Sequence, residues 1–114
     1  MAKKPETIIC ERIIHSIRSA GGFAIHVPGS IKQANQPDLD GSVFDDVGQP
    51  VHFKIEVKQP GEEARKAQQA MMNVWAHHGY LTGTVSDVTE FWLLINKEIY
   101  SRRIKRKYEQ AQKA

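Results

Sequence analysis

Between Val51 and Lys58 apolar and polar side chains alternate without a break. Val51, Phe53, Ile55 and Val57 fall on one side, and His52, Lys54, Glu56 and Lys58 on the other. This period of two predicts a strand that buries a single face. The same alternation in Pro37-Asp38-Leu39-Asp40-Gly41 sets Asp38 and Asp40 on one face and Leu39 on the other. Asp45-Asp46-Val47-Gly48-Gln49-Pro50 supplies turn chemistry between the two runs, so they form a hairpin. A carboxylate from each strand can then meet at one point.

Upstream, Ile9, Ile13, Ile14 and Ile17 recur at helical spacing between Pro5 and Gly21-Gly22, which predicts an amphipathic helix over 6–20. Residues 22–27 read as a short strand. Residues 28–36 lack periodicity and carry turn formers, an exposed loop in which Lys32, Gln33, Asn35 and Gln36 read either as solvated polar residues, the commoner case, or as contacts to a nucleic-acid backbone. After Lys58, Pro60-Gly61-Glu62-Glu63 has the early proline and acidic residues of a helix start. Ala64, Ala67, Met71, Val74, Trp75 and His78 mark the sheet-facing side of that helix, and Gln68 falls beside this face, within reach of Lys58.

Residues 80–85 form a β-rich segment, Ser86 and Asp87 are suitable N-caps, and Val88, Phe91, Trp92 and Ile95 predict a helix packing back on the sheet. A thinner stripe of Ile99, Tyr100, Ile104 and Tyr108 continues beyond it and needs a surface to cover it, for which a second copy of the chain is the preferred candidate. The element order is α-β-β-β-α-β-α, an α/β class with a mixed sheet flanked by helices.

Charge divides the chain of 114 residues unevenly. Residues 97–114 hold seven Lys/Arg against Glu98 and Glu109, whereas residues 1–96 hold nine basic and eleven acidic residues. One domain over 1–96, with 97–114 as its basic helical extension, follows. Arg102, Arg103, Lys105, Arg106 and Lys107 read either as a phosphate-contacting surface or as a solubilising face. No apolar run approaches the ~18 residues of a membrane span, and Met1-Ala2-Lys3-Lys4-Pro5 runs into charged residues, so a cytosolic protein is expected, with no membrane partner. Cys10, the single cysteine, excludes an intramolecular disulfide and reads as a buried inert thiol. His77-His78 are adjacent, and His15, His26 and His52 have no partner at ligand spacing, so zinc is not expected.

Asp38, Glu56 and Lys58 on one sheet face are costly if dry and unpaired, and call for a cation or water. Such oxygen ligands suit Mg²⁺ or Mn²⁺. A lone E-x-K pattern more often marks a solvated salt-bridged face, and it is the combination with Asp38 that changes the reading.

Pro37-Asp38 followed by Glu56-Val57-Lys58 resembles the P-D…(D/E)-x-K signature of the PD-(D/E)XK nuclease superfamily. Pro60-Gly61 together with Gln68 looks like its VRR-NUC branch, the small stand-alone phage and bacterial type. GYLTGTVSDVTEFWLL, residues 79–94, is similar to the strand and short helix that close that domain, and the resemblance spans residues 6–95. It implies a restriction-endonuclease-like core and a metal-dependent DNA endonuclease hydrolysing phosphodiester bonds. It also implies Mg²⁺ or Mn²⁺ held by Asp38, Glu56 and the Val57 main-chain carbonyl, with Lys58 and Gln68 in the catalytic machinery. A first-helix glutamate, for which Glu6 is better placed than Glu11, would add a carboxylate directly or through water. An acidic residue complementing a helix N-terminus explains Glu6 equally well. The resemblance further implies a homodimer without organic cofactor, selective for branched DNA such as four-way (Holliday) junctions, acting in DNA repair in a bacterial or phage-infected cell. The basic tract supports a second reading, a non-catalytic nucleic-acid-binding subunit that uses its C-terminal helix.

Overall fold

The computed structural model describes residues 3–27 and 35–113, and Lys32 and Gln33 lie outside them. Its elements are α1 (Pro5–Ser19), β1 (Phe23–His26), β2 (Leu39–Phe44), β3 (Pro50–Val57), α2 (Lys66–His77), β4 (Leu81–Val85) and α3 (Val88–Lys113). The four strands lie side by side in chain order, with β1–β2 and β2–β3 antiparallel and β3–β4 parallel. The result is the mixed sheet flanked by helices that the element order predicts.

Pairing of Leu39 with Ile55 and of Ala24 with Gly41 aligns the two strand periods, so all inward positions share one face. Ala24, Leu39, Val43, Val51, Phe53, Ile55, Val57 and Val85 form that core face, closed by Cys10, Ile13 and Ile17 of α1 and Phe91 and Ile95 of α3. The indole N–H of Trp92 donates to Ser16 Oγ at 2.8 Å and ties the two helices together. Gly41 is required where β1 crosses β2, because a Cβ there would collide with the Phe23 carbonyl and lie 2.7 Å from Ala24 Cα.

The opposite face carries Phe23, Ile25, Asp40, Ser42, Phe44, His52, Lys54 and Glu56, and α2 packs over its β3–β4 side. Two expectations for α2 are corrected. The helix begins at Lys66, not at Pro60, because Pro60-Gly61 forms a turn in which Glu62 N–H donates to Gln59 C=O at 3.0 Å. Gly61 takes φ +87°, which a type II turn demands at its third position and a helix forbids. The buried stripe is also rotated. Gln68 and Met72 are its centre, while Ala67, Val74 and His78 are exposed.

β4 ends beside the end of β3, and the chain reverses into α3 through a reciprocal cap. Glu90 N–H donates to Asp87 Oδ1 and Ser86 N–H donates to Glu90 Oε1, each at 2.7 Å. α3 then runs 26 residues, about 39 Å at 1.5 Å per residue, without a break at residues 96–97. Past Ile99 only Arg102 and Arg106 are still half-buried, and Tyr100, Ile104 and Tyr108 stand exposed. Cys10 is buried, as its helical position suggests. Among the described residues no helix is long and apolar enough to cross a membrane.

Candidate active site

The ends of β2 and β3 remote from the hairpin turn carry the acidic residues. Continuing the Leu39–Ile55 register by one residue sets Asp38 across from Glu56, on the α2 face. Asp38 does more than point outward, since its Oδ2 accepts the Val57 N–H at 2.8 Å while its own carbonyl accepts from Val27 N–H. These two bonds hold the chain straight past the last β2 pair.

The Val57–Lys58 peptide is trans, which puts its carbonyl opposite its N–H. Lys58 N–H is bonded to Val85 C=O on β4 at 3.0 Å, so the Val57 carbonyl faces the other way, toward Asp38. The carbonyl expected to complete the ligand set therefore lies on the β2 side of β3, as Asp38 does.

Glu56 is nearly inaccessible, at 2% exposure. A carboxylate there needs donors, and α2 supplies one. Gln68 Nε2 donates to Glu56 Oε1 at 3.3 Å, and Gln68 Oε1 accepts the Arg65 N–H at 2.9 Å, which fixes which end of the amide faces the carboxylate. A residue placed beside the apolar stripe by its polarity is in fact central to it, because its partner lies beneath the helix. Lys58 Nζ stands 3.9 Å from the same Glu56 oxygen.

Among the described residues no three His, Cys, Asp or Glu side chains converge closely enough to hold a metal ion. The acidic set is the pair Asp38 and Glu56. Glu6, half-buried in the first turn of α1, is not gathered into it as a third close carboxylate. Glu11 is engaged elsewhere, by Lys3 at 2.8 Å. Two carboxylates and one carbonyl are hard oxygen donors, a set that fits Mg²⁺, which binds through one or two carboxylates and keeps several waters.

The neighbouring row of the same face holds a pair that the alternation located without assigning it a role. Lys54 Nζ contacts Asp40 Oδ2 at 2.8 Å and lies 4.3 Å from the Trp75 ring centroid and 5.0 Å from that of Tyr80. Beside it a cavity of about 250 Å³ is lined by Pro37, Leu39, Asp40, Lys54 and Trp75.

The tail arginines are occupied at the far end of the hairpin. Asp45 Oδ1 accepts the N–H groups of Val47 and Gln49 at 3.0 and 2.8 Å, an Asx-type turn, and its Oδ2 meets Arg102 at 3.2 Å and Arg106 at 3.7 Å. Asp46 binds Arg103 at 2.8 Å and Arg106 at 2.5 Å, and Glu98 holds Arg102 at 2.9 Å. Burial works to raise the Asp45 pKa, but the two N–H donors and Arg102 outweigh it and keep the carboxyl below its usual 3.8. The Asp46 carboxyl is lowered chiefly by its bond from Arg103, against a smaller effect of burial, with Arg106 adding to the decrease. Arg102, Arg103 and Arg106 thus brace the turn, whereas Lys105 and Lys107 are exposed.

No family model and no curated protein sequence matches the chain. Solved structures do. One described as "VRR_NUC domain" superimposes with a TM-score of 0.64 at 17% identity, covering 82% of this chain and 97% of that one. Another, "VRR_NUC domain protein", gives 0.61 at 15% identity, covering 85% and 89%. The chain has the fold of these domains.

Proposed function

Starting from the VRR-NUC fold, we propose that the protein is a Mg²⁺- or Mn²⁺-dependent DNA endonuclease whose centre is Asp38, Glu56, Val57, Lys58 and Gln68. The observation that carries this reading is the register that sets Asp38 across from Glu56 at one end of the hairpin, with Asp38 accepting the Val57 N–H and Gln68 donating to Glu56. Asp38, Glu56 and the Val57 carbonyl would hold the ion, which supplies a more acidic bound water and charge neutralisation at the phosphate. Lys58 orients the attacking water and stabilises the negative charge that grows on the scissile phosphate. Gln68 keeps the Glu56 carboxylate in one orientation by donating to one of its oxygens. Glu6 contributes through water.

The substrate we assign is branched DNA, four-way junctions in particular, cut by two copies joined through the exposed Tyr100, Ile104 and Tyr108 stripe. A twofold dimer presents two sites to symmetry-related strands. The alternative of a non-catalytic binding subunit is less well supported, because Arg102, Arg103 and Arg106 are engaged by acidic side chains of the same chain.

Supercoiled plasmid, linear duplex, four-way junction and single-stranded DNA, each incubated with Mg²⁺, Mn²⁺ or chelator, test the reading. Cleavage of the junction with either ion is expected, together with a dimer by light scattering. The nuclease reading fails if nothing is cut, or if Asp38→Ala and Lys58→Ala cut as well as the parent. Preference for linear duplex, or a monomer, removes paired junction cleavage.

A further inference from the structure

The acidic pair has a recess on each side. On the β4 side, where Thr84 pairs with Glu56, the recess is lined by Glu62, Glu63 and Glu90 and, among the described residues, by no cation. On the β2 side lies the cavity of about 250 Å³ between Pro37, Leu39, Asp40, Lys54 and Trp75, which Val27 and Gln36 complete. Pro37 and Leu39 flank Asp38 in the chain. Asp40, paired with Lys54, follows Asp38 on the same face about 6.6 Å along the strand. The cavity therefore lies one same-face step from the level of Asp38 and Glu56.

A phosphodiester held at the pair brings its flanking nucleosides with it. Charge decides which recess one of them enters. The three glutamates repel a polyanion, whereas Lys54 meets Asp40 at 2.8 Å and neutralises it within the cavity. We propose that the cavity receives one unpaired base beside the scissile phosphate, turned out of its stack, so that cutting occurs where a branch already leaves a nucleotide unpaired. The proposal rests on the nuclease reading for the position of the phosphate. Extruded bases are held by stacking on aromatic and apolar side chains and by hydrogen bonds to their pairing edge, and the walls offer both. Trp75 is the aromatic wall. Its indole N–H is buried and meets no acceptor among the described residues, so no hydrogen bond fixes the ring angle and the ring can tilt against a planar guest. Asp40 Oδ2 is taken by Lys54, but its Oδ1 accepts no hydrogen bond among the described residues. Every base has an N–H on its pairing edge that such an oxygen can accept, so the cavity selects an unpaired nucleotide and not a sequence. Its volume admits one base and excludes a base pair.

The test is binding of the full chain to four-way junctions in chelator, where no cleavage intervenes, with a single abasic tetrahydrofuran nucleotide moved through the positions on either side of the branch. At one position loss of the base should weaken binding about 5- to 100-fold, the worth of one stacked base. Trp75→Leu should weaken binding to the intact junction by a similar factor and be indifferent to the abasic substitution at that position, whereas Trp75→Phe should keep the position dependence. Circular dichroism checks that both variants fold. A scan with no sensitive position on the parent overturns the base site without recourse to any variant, and so does a junction that is not bound. A Trp75→Leu loss that multiplies with the abasic loss, instead of replacing it, assigns the base to another wall and also overturns it. Cleavage with Mg²⁺ or Mn²⁺ is scored separately. Cleavage without a sensitive position overturns the base site alone, and a sensitive position coupled to Trp75 without cleavage overturns the nuclease reading alone.

Discussion

Gln68 Nε2 lies 3.3 Å from Glu56 Oε1, across the interface between α2 and the sheet, while the other end of the same amide accepts the Arg65 N–H. One side chain therefore joins the helix start to the buried carboxylate. Gln68→Leu removes both bonds at once and should destabilise the fold by about 1–3 kcal/mol, the cost of stranding buried polar groups. Cleavage should fall about 10- to 100-fold, as for other residues that orient a ligand. Thermal melts together with junction cleavage rates check the two effects. An unaltered rate would show that Glu56 needs no such support.

Asp38 has a structural bond and a proposed chemical role, which two variants separate. Asp38→Asn keeps an oxygen able to accept the Val57 N–H and should melt as the parent does while losing cleavage. Asp38→Ala should lose cleavage and also melt earlier. Calorimetric titration with Mn²⁺ should show binding to the parent and none to either variant. A parent-like Mn²⁺ isotherm for Asp38→Asn would remove Asp38 from the ligand set.

Lys58→Met preserves the length of the stem but not the charge. It should lower kcat by about 100- to 1,000-fold, the scale of losing one charge-stabilising donor at a phosphoryl or acyl centre. The fold should be unchanged. Steady-state kinetics on the junction, with circular dichroism as control, measures this.

The braces at the turn carry a pH signature. Asp45 and Asp46 both titrate below 3.8 in the folded chain, so the folded state binds fewer protons than the unfolded one in that range. Their contribution to stability is complete above the usual value and is lost as pH falls through the folded values. Melting temperature followed from pH 7 downward should therefore show no pH dependence from these two groups until about pH 4, then a fall. The Asp45→Asn/Asp46→Asn variant should start lower at neutral pH and have a shallower acid limb. An acid limb as steep as the parent's would place the responsible carboxylates elsewhere.

Two glycines differ in what surrounds them. A Cβ at Gly41 meets backbone of β1, which cannot give way, whereas one at Gly83 meets the end of the Leu94 side chain at 2.7 Å, which can rotate. Gly41→Ala should cost at least about 1–3 kcal/mol, and Gly83→Ala less. Chemical denaturation of both variants compares them directly.

The sequence by itself determined the hairpin, its turn, the amphipathic α1 and the element order, because each rests on a local period or on turn residues within a few positions of one another. It also determined that Asp38, Glu56 and Lys58 share a face, since alternation on paired strands leaves no other arrangement. Only the tertiary structure decided the start of α2, as Pro60-Gly61 suits a helix start and a type II turn alike, and the turn is what forms, with Glu62 N–H donating to Gln59 C=O and Gly61 at positive φ. Gln68 could be recognised as central only once Glu56 was seen beneath it, for a polar residue in an apolar pattern is otherwise assigned to the edge. The basic tract looked uniform along the chain, yet Arg102, Arg103 and Arg106 meet Asp45 and Asp46 across about half of the chain, which no local signal reports. The same holds for Phe23 and Phe44. A period of two shows that a strand has two faces, but which face is covered depends on where a distant helix comes to rest, and α2 covers only the half that holds Glu56.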